Sequence, residues 1–116
     1  MKKLNINCKE WFDKINGNSY FAGTIEIDDK ETFLIPFSYG YGTYYEQEAK
    51  AILTEFNKIS LNYSLSLYSY CKENNIEFKS NIKTDCLKRE LKEIENNYNK
   101  LTTKKTLKTK WTTQKN

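Results

Sequence analysis

The sequence predicts one α+β domain, with a three-stranded, mainly antiparallel sheet covered by helices and a flexible basic C-terminal tail. The chain of 116 residues is long enough for one hydrophobic core and too short for two domains of ordinary size. Residues 18–37 alternate between apolar and polar side chains on both sides of a turn, as a β-hairpin does. Residues 43–58 and 85–101 carry apolar side chains at helical spacing, which predicts two amphipathic helices.

The first element is predicted to be a short helix over residues 8–15. Asn7 followed by Glu10 matches a helix start, in which the Asn side chain caps backbone N–H groups and the Glu reaches back. The glycine of Asn16-Gly17 supplies a left-handed stop. This helix would bury three apolar side chains, those of Trp11, Phe12 and Ile15.

A hairpin follows over residues 18–37. Phe21, Ile25 and Ile27 would lie on one side of the first strand, opposite Tyr20, Thr24 and Glu26. The turn is expected at Asp28-Asp29-Lys30, whose residue types favour tight turns. Because Pro36 cannot donate a ladder hydrogen bond, the second strand is expected at an edge of the sheet.

The second helix is predicted over residues 43–58, started by a capping box of Thr43 and Glu46. Residues 60–75 fit either a strand or a helix, and we favour a helix that ends at Asn74-Asn75. Ile76–Lys83 is the expected third strand, and the helix over 85–101 begins at Thr84 or Asp85. The predicted order is therefore α-β-β-α-α-β-α, with a domain over 1–101 and a tail over 102–116. The predicted core comprises Trp11, Phe12, Phe21, Ile25, Phe33, Ile35, Ala49, Ile52, Leu53, Phe56, Leu91 and Ile94.

Composition argues against several classes of function. The chain has no histidine, which removes the usual general base near neutral pH and the commonest metal ligand. Its three cysteines, Cys8, Cys71 and Cys86, have no C-x-x-C spacing and are expected to be buried free thiols. We therefore expect a protein that is not an enzyme and that holds no cofactor or metal. No apolar stretch approaches the roughly 20 residues that a membrane helix needs, so a cytoplasmic protein with no membrane partner is expected.

The positive charge is concentrated at the C-terminus. Residues 100–116 contain six lysines and no acidic residue, whereas residues 1–99 carry a net charge of −2. Lysines interleaved with an indole suit phosphate neutralisation combined with base stacking, and they also suit an acidic protein surface. The candidate contacts in this segment are Lys104, Lys105, Lys108, Lys110 and Trp111.

The most unusual segment joins the predicted second strand to the second helix. It packs four tyrosines and two glycines into residues 38–45. The glycines would let backbone N–H groups approach a ligand at a helix N-terminus, while the tyrosines would offer stacking faces. The alternative is a tight turn with an aromatic core, because the segment matches neither a Walker loop nor a dinucleotide fingerprint. The candidate binding residues are Tyr39, Gly40, Tyr41, Gly42 and Tyr44.

Three carboxylates near the hairpin turn, those of Asp28, Asp29 and Glu31, suggest a metal site only weakly. Acidic residues at a hairpin tip are much more often a solvated turn. We therefore expect no metal there.

Several motifs together resemble a group of small phage and prophage proteins of uncharacterised function. These proteins have a W-F-x(4)-G-N-[ST]-Y pattern followed by P-F-x-Y-G-Y-G. The matching residues here are Trp11-Phe12, Gly17-Asn18-Ser19-Tyr20 and Pro36-Phe37-x-Tyr39-Gly40-Tyr41-Gly42, together with residues 70–76. The resemblance covers about residues 11–90, so the Lys-rich tail lies outside it.

A phage setting implies a binding role. The first expectation is a non-enzymatic inhibitor that binds a bacterial defence complex, as anti-CRISPR proteins do, with a host defence protein or its nucleic-acid complex as partner. The alternatives are an accessory protein that binds viral nucleic acid, with single-stranded nucleic acid held by the tail, and a nucleotide-binding sponge or enzyme that uses the Gly-Tyr-Gly turn.

Overall fold

The computed structural model shows one four-stranded sheet with helices on both faces. It describes residues 1–60 and 65–113, and for residues 102–113 the helical backbone alone. The sheet order is β3-β2-β1-β4, so the α+β class is confirmed, whereas the predicted number of three strands is wrong. The elements are β1 Lys3–Asp13, β2 Asn18–Ile27, β3 Glu31–Tyr39, α1 Tyr44–Glu55, α2 Leu67–Glu73, β4 Glu77–Lys83 and α3 Lys88–Thr113.

The predicted helix over residues 8–15 is wrong, because residues 8–13 belong to β1, the longest strand and an inner one, and residues 14 and 15 lie in the turn after it. Leu4, Ile6 and Cys8 alternate with more exposed residues and are almost fully buried. β1 pairs antiparallel with β2 from Leu4 to Asp13 and parallel with β4 from Lys3 to Lys9. Pairing with β2 along the strand, and with β4 as well as far as Lys9, satisfies the backbone and outweighs the local helix-start pattern. The Asn7 side chain caps no helix and instead accepts a hydrogen bond from Asn81 Nδ2 at 2.8 Å.

The predicted hairpin is confirmed as β2 and β3. Its turn has both Asp28 and Asp29 at positive φ, 53° and 56°, and the Lys30 N–H donates to the Ile27 carbonyl at 2.9 Å. Two consecutive left-handed residues make a type I′ turn, the kind that matches the twist of a hairpin. β3 is an edge strand, as Pro36 predicts, and its pairing with β2 shifts register between Phe21 and Gly23.

The two faces of the sheet carry different cores. The first face, covered by α1 and α2, holds an aliphatic cluster that includes Leu4, Ile25, Ile35 and Leu53. The second face, covered by α3, holds a smaller cluster of Ala22, Cys86 and Leu91 with Trp11, Tyr20 and Phe37 packed against it. The sheet is therefore the middle of three layers.

Half of the predicted core is confirmed as buried: Phe21, Ile25, Ile35, Ala49, Leu53 and Leu91. Trp11, Phe33, Ile52 and Ile94 are partly buried. Phe12 and Phe56 were wrongly predicted as core and are 45% and 47% exposed. Phe12 is the last residue but one of β1, and Phe56 follows the final residue of α1, so both lie where their elements end.

α1 and α2 lie where helices are predicted, and their ends agree only in part. α1 begins at Tyr44, but the side chain of Thr43 makes no capping hydrogen bond, so the predicted capping box does not form. α2 has Asn74 as its C-cap, which confirms the predicted end of that helix, and residues 61–64 of the ambiguous segment lie outside the described residues. The predicted strand over Ile76–Lys83 is confirmed as β4.

The last helix begins at Lys88, so its predicted start at Thr84 or Asp85 is wrong, and it continues past its predicted end at residue 101, as far as Thr113. Residues 88–113 contain no glycine or proline, and lysine is a good helix former, so no local signal stops the helix there. The side chains of residues 102–113, and residues 114–116 as a whole, lie outside the described residues. The flexible tail, and contacts through Lys104, Lys105, Lys108, Lys110 and Trp111, therefore stay predictions.

Candidate functional site

The Gly-Tyr-Gly segment connects the last residue of β3 to the first residue of α1. Tyr39, Tyr41 and Tyr44 are 54%, 51% and 44% exposed, whereas Gly40 is buried. The structure thus brings the five predicted site residues to one end of the sheet. Three of them present aromatic rings to solvent.

Both glycines have a role in the path of the chain. A Cβ atom on Gly40 would lie 2.7 Å from ring atoms of both Phe21 and Tyr44, and the Gly40 N–H donates to the Ser19 carbonyl at 3.0 Å. Gly42 has φ +55°, a conformation that side chains disfavour. The Tyr44 N–H donates to the Tyr41 carbonyl at 3.0 Å. Because the Gly40 N–H donates to β2 and the Tyr44 N–H donates within the turn, this geometry favours the tight turn over an anion-binding loop.

The fourth tyrosine of the segment, Tyr45, faces inward. Its hydroxyl group lies 2.8 Å from Ser80 Oγ, and that serine donates to Glu46 Oε2 at 2.6 Å. Burial raises the pKa of the Tyr45 hydroxyl group above its ordinary value. This group therefore ties α1 to β4 as a neutral hydrogen-bond partner.

Tyr39 and Tyr41 rest against each other and against the neighbouring hairpin. Their ring centroids are 5.6 Å apart in an edge-on arrangement, and the Tyr41 hydroxyl donates to the Gly17 carbonyl at 3.2 Å. The hydrogen bond with Tyr41 raises the pKa of Tyr39. Tyr39 also meets Tyr20 edge-on at 5.8 Å. The two exposed rings are therefore held in one orientation by contacts within the fold.

A row of half-buried rings supports this pair. Tyr20 stacks on Trp11 at 5.5 Å and on Phe37 at 5.2 Å, so β1, β2 and β3 each contribute one ring. We call the five residues Trp11, Tyr20, Phe37, Tyr39 and Tyr41 the aromatic surface. Sequence reasoning missed Trp11, Tyr20 and Phe37 as members of the site. One signal in the sequence could have identified Tyr20, because it lies on the side of its strand opposite the core residues Phe21 and Ile25.

Positive charge lies beside the aromatic surface. Lys88 Nζ is 5.4 Å from the centroid of the Trp11 ring, a distance at which a cation is attracted to the face of an indole. Lys88 and Lys92 of α3 line a groove of about 550 Å³ next to Phe37, together with Glu95 and Asn96. The Phe37 N–H donates to Glu95 Oε1 at 3.5 Å. The groove therefore has one aromatic wall and a mixed but mainly basic rim.

The carboxylates of the hairpin turn each contact a donor or a cation of the protein. Asp28 Oδ1 accepts from the backbone N–H groups of Lys2 and Lys3, and Asp29 pairs with Lys3 Nζ at 3.1 Å. Glu31 pairs with Lys58 at 2.7 Å. Among residues 1–60 and 65–101, no three His, Cys, Asp or Glu side chains are grouped as metal ligands would be.

The cysteine side chains are buried and free. Burial raises the pKa of the Cys8 thiol to about 12 and that of Cys71 to about 11. The thiolate is the nucleophilic form, so these two groups are unreactive near neutral pH.

In comparisons with protein-family models, curated proteins and solved structures, no match to this chain is found.

Within the part of the chain that the structure describes, no helix is both long and apolar enough to cross a membrane. The geometry of the aromatic surface is therefore the main guide to function.

Proposed function

We propose that this chain is a small non-enzymatic inhibitor that binds a bacterial defence complex through the aromatic surface. The observation that carries the proposal is the pair of exposed rings of Tyr39 and Tyr41, held in place by Gly17 and Tyr20. Tyrosine supplies a large contact area at a low cost in conformational entropy, and it is enriched among residues that dominate binding energy. Rings that are already oriented lose less freedom when a partner binds them.

The surroundings of the two rings support a protein partner. Phe12 and Ile15 lie on the same hairpin as Gly17 and are 45% and 93% exposed. Because Phe12 follows Trp11 in β1, it lies on the opposite face of the sheet, so the exposed apolar side chains at this end extend beyond the aromatic surface, as is typical of an interaction site. The setting of a defence complex comes from the resemblance to phage proteins, which supplies the class of partner.

The test uses the full chain as bait in lysates of bacteria that carry CRISPR systems, with and without ribonuclease. The variants are Tyr41→Ala and a matched control, Tyr68→Ala, which removes a tyrosine that is 60% exposed on α2. We expect the wild type and the control to capture the same nuclease subunits and to inhibit DNA cleavage by the purified complex. Tyr41→Ala should weaken that binding by about 30-fold, as loss of a dominant interface residue does. Equal capture and inhibition by both variants would refute the aromatic surface as the binding site.

A second candidate is binding of single-stranded nucleic acid, which the position of Lys88 over Trp11 favours. Exposed tyrosines stack on bases, and lysines neutralise phosphates. If three or four lysines of residues 100–116 contact phosphates, the logarithm of affinity should fall against the logarithm of salt with a slope near −2 to −3. Trp111→Ala should weaken binding without changing that slope, whereas deletion of residues 102–116 should abolish both effects.

Fluorescence anisotropy of a labelled oligonucleotide measures this binding with Trp11 kept in place, because Trp11 is only partly buried and would contribute to a tryptophan signal. The absence of salt-dependent binding to any oligonucleotide would exclude this second function. The nucleotide sponge or enzyme is less favoured, because the Gly40 and Tyr44 N–H groups already donate to the Ser19 and Tyr41 carbonyls.

A further inference from the structure

The two edges of the sheet differ in how open they are to another strand. The β3 edge contains Pro36 and a register shift, and both features discourage strand pairing. The β4 edge contains no proline, and its pairing with β1 is unbroken from Glu77 to Lys83. Among the described residues, β4 pairs with β1 and with no other strand.

The outward-facing backbone groups of β4 follow from its parallel pairing. The Glu77 N–H donates to the Lys2 carbonyl at 2.9 Å, so residue 77 points its backbone groups towards β1. Alternate residues of a strand point their N–H and C=O groups to opposite sides. Residues 77, 79, 81 and 83 therefore face β1, and Phe78, Ser80 and Ile82 present three N–H and three C=O groups outward.

The side chains of β4 alternate in the same way between the two faces of the sheet. Phe78 and Ile82 pack against the core of the first face. The other set is exposed and consists of Glu77, Lys79, Asn81 and Lys83. The outer edge thus has an apolar row on one face and a charged row on the other.

We propose that β4 pairs antiparallel with β4 of a second copy of this chain, around a two-fold axis at Ser80. In this register Ser80 pairs with Ser80, and Phe78 pairs with Ile82, so that all six outward backbone groups of each strand gain partners. The result is a continuous eight-stranded sheet. This inference is independent of the proposed inhibitor function.

The charges favour this register over its neighbours. Glu77 of each copy lies opposite Lys83 of the other, in pairs whose side chains are closest because those residues exchange no hydrogen bonds. Lys79 lies opposite the uncharged Asn81. A shift of the axis to Lys79 would place Lys79 against itself, and a shift to Asn81 would place Lys79 against Lys83. Like charges directly opposite each other destabilise strand pairing.

The pairing would make the protein bivalent. Because the two β4 strands run antiparallel, the two β1 strands do so as well, and the two aromatic surfaces lie at opposite ends of the combined sheet. A partner with two equivalent sites could then be held with an avidity that exceeds either single affinity.

Charge swaps across the axis test this proposal, with the dimer dissociation constant measured by sedimentation velocity. The wild type is expected to sediment as a dimer, of twice 13.8 kDa. Glu77→Lys and Lys83→Glu each turn two attractive pairs into two repulsive ones, so each should weaken dimerisation by about tenfold or more. An equimolar mixture of the two variants should form a heterodimer as stable as the wild type, because every opposed pair is again of opposite charge.

Charge-matched controls are Glu93→Lys and Lys100→Glu, two exposed positions on α3, which should leave the dimer unchanged. Hydrogen exchange of the wild type provides a second measurement that needs no variant. The N–H groups of Phe78, Ser80 and Ile82 should become protected as the protein concentration rises. A wild type that stays monomeric at millimolar concentration, a dimer insensitive to both swaps, or unprotected N–H groups in the dimer would overturn the proposal.

Discussion

The two ends of the sheet are closed by different chemistry. At one end the β2–β3 turn is tied to the start of β1, because Asp28 accepts from the N–H groups of Lys2 and Lys3 at 2.7 and 2.8 Å. At the other end, Tyr39 and Tyr41 cover the β1–β2 turn and remain half exposed. The polar end uses its hydrogen-bonding groups within the fold, whereas the aromatic end retains surface that a partner can bury. The first end therefore ties the hairpin turn to the start of β1, whereas the second leaves aromatic rings exposed.

The largest effect on stability at the aromatic end is expected from Gly40→Ala. The added Cβ would lie 2.7 Å from ring atoms of both Phe21 and Tyr44, so both rings or the backbone must move. Overpacking of this kind costs about 1–3 kcal/mol. Urea unfolding followed by circular dichroism should show a lower midpoint with an unchanged slope. A loss below about 0.5 kcal/mol would mean that the rings have room to adjust, in which case Gly40 does not fix their positions.

A smaller loss is expected from Gly17→Ala in the β1–β2 turn. Gly17 has φ +69°, and beyond its two chain neighbours no atom lies within 4 Å of an added Cβ, so the cost is conformational and not steric. A left-handed conformation costs an ordinary residue about 1–2 kcal/mol. The same unfolding measurement should show this loss, and affinity for the partner should fall if the turn moves the carbonyl that accepts from Tyr41. An unchanged midpoint would contradict the strain argument.

The opposite sign is expected at the polar end for Asp29→Gly. Asp29 has φ +56° at the second central position of a type I′ turn, where glycine is preferred. Relief of the left-handed conformation outweighs the loss of the exposed pair with Lys3 and the greater freedom of glycine in the unfolded chain. Stability should rise by up to about 1 kcal/mol. Thermal unfolding of the wild type, Asp29→Gly and Gly17→Ala measures the two opposite changes. A melting temperature of Asp29→Gly below that of the wild type would contradict the prediction.

The sequence was sufficient for the β2–β3 hairpin because its determinants are local. Alternating side chains, a turn of Asp28-Asp29-Lys30 and the edge position of Pro36 depend on nearby residues alone. β1 was mispredicted because its partners lie at residues 18–27 and 77–83, and a short alternation of Leu4, Ile6 and Cys8 competed with a helix-start pattern.

The same error hid part of the aromatic surface. Trp11 was assigned to a helix core, so its stacking on Tyr20 across two strands could not be foreseen. Phe37 reaches the second face next to the register shift between Phe21 and Gly23, which no periodic pattern predicts. Tyr39 and Tyr41 were found because their segment is unusual in composition.

The last prediction concerns the loss of stability at acidic pH. It compares the carboxylate of Asp28 at the polar end with that of Asp13 at the aromatic end. Hydrogen bonds from the N–H groups of Lys2 and Lys3 hold the pKa of Asp28 below its ordinary value of 3.8. A hydrogen bond from the side chain of Asn16, followed by backbone N–H groups, lowers the pKa of Asp13 in the same way. A lowered pKa stabilises the fold fully above the ordinary value, and this contribution is lost as the pH falls through 3.8 and then through the folded-state pKa.

The contacts of Asp28 join residues 25 and 26 positions apart, whereas those of Asp13 join residues two and three positions apart. Local contacts can persist in the unfolded chain, and only the difference in pKa between the folded and unfolded states changes stability. Asp28→Asn should therefore flatten the dependence of unfolding free energy on pH below about 4, and Asp13→Asn should flatten it less. Urea unfolding at closely spaced pH values from roughly 2 to 5 measures, for each variant, how the unfolding free energy depends on pH. Equal flattening by the two variants would show that the contacts of Asp13 form only on folding, and that the aromatic end depends on its carboxylate as much as the polar end does.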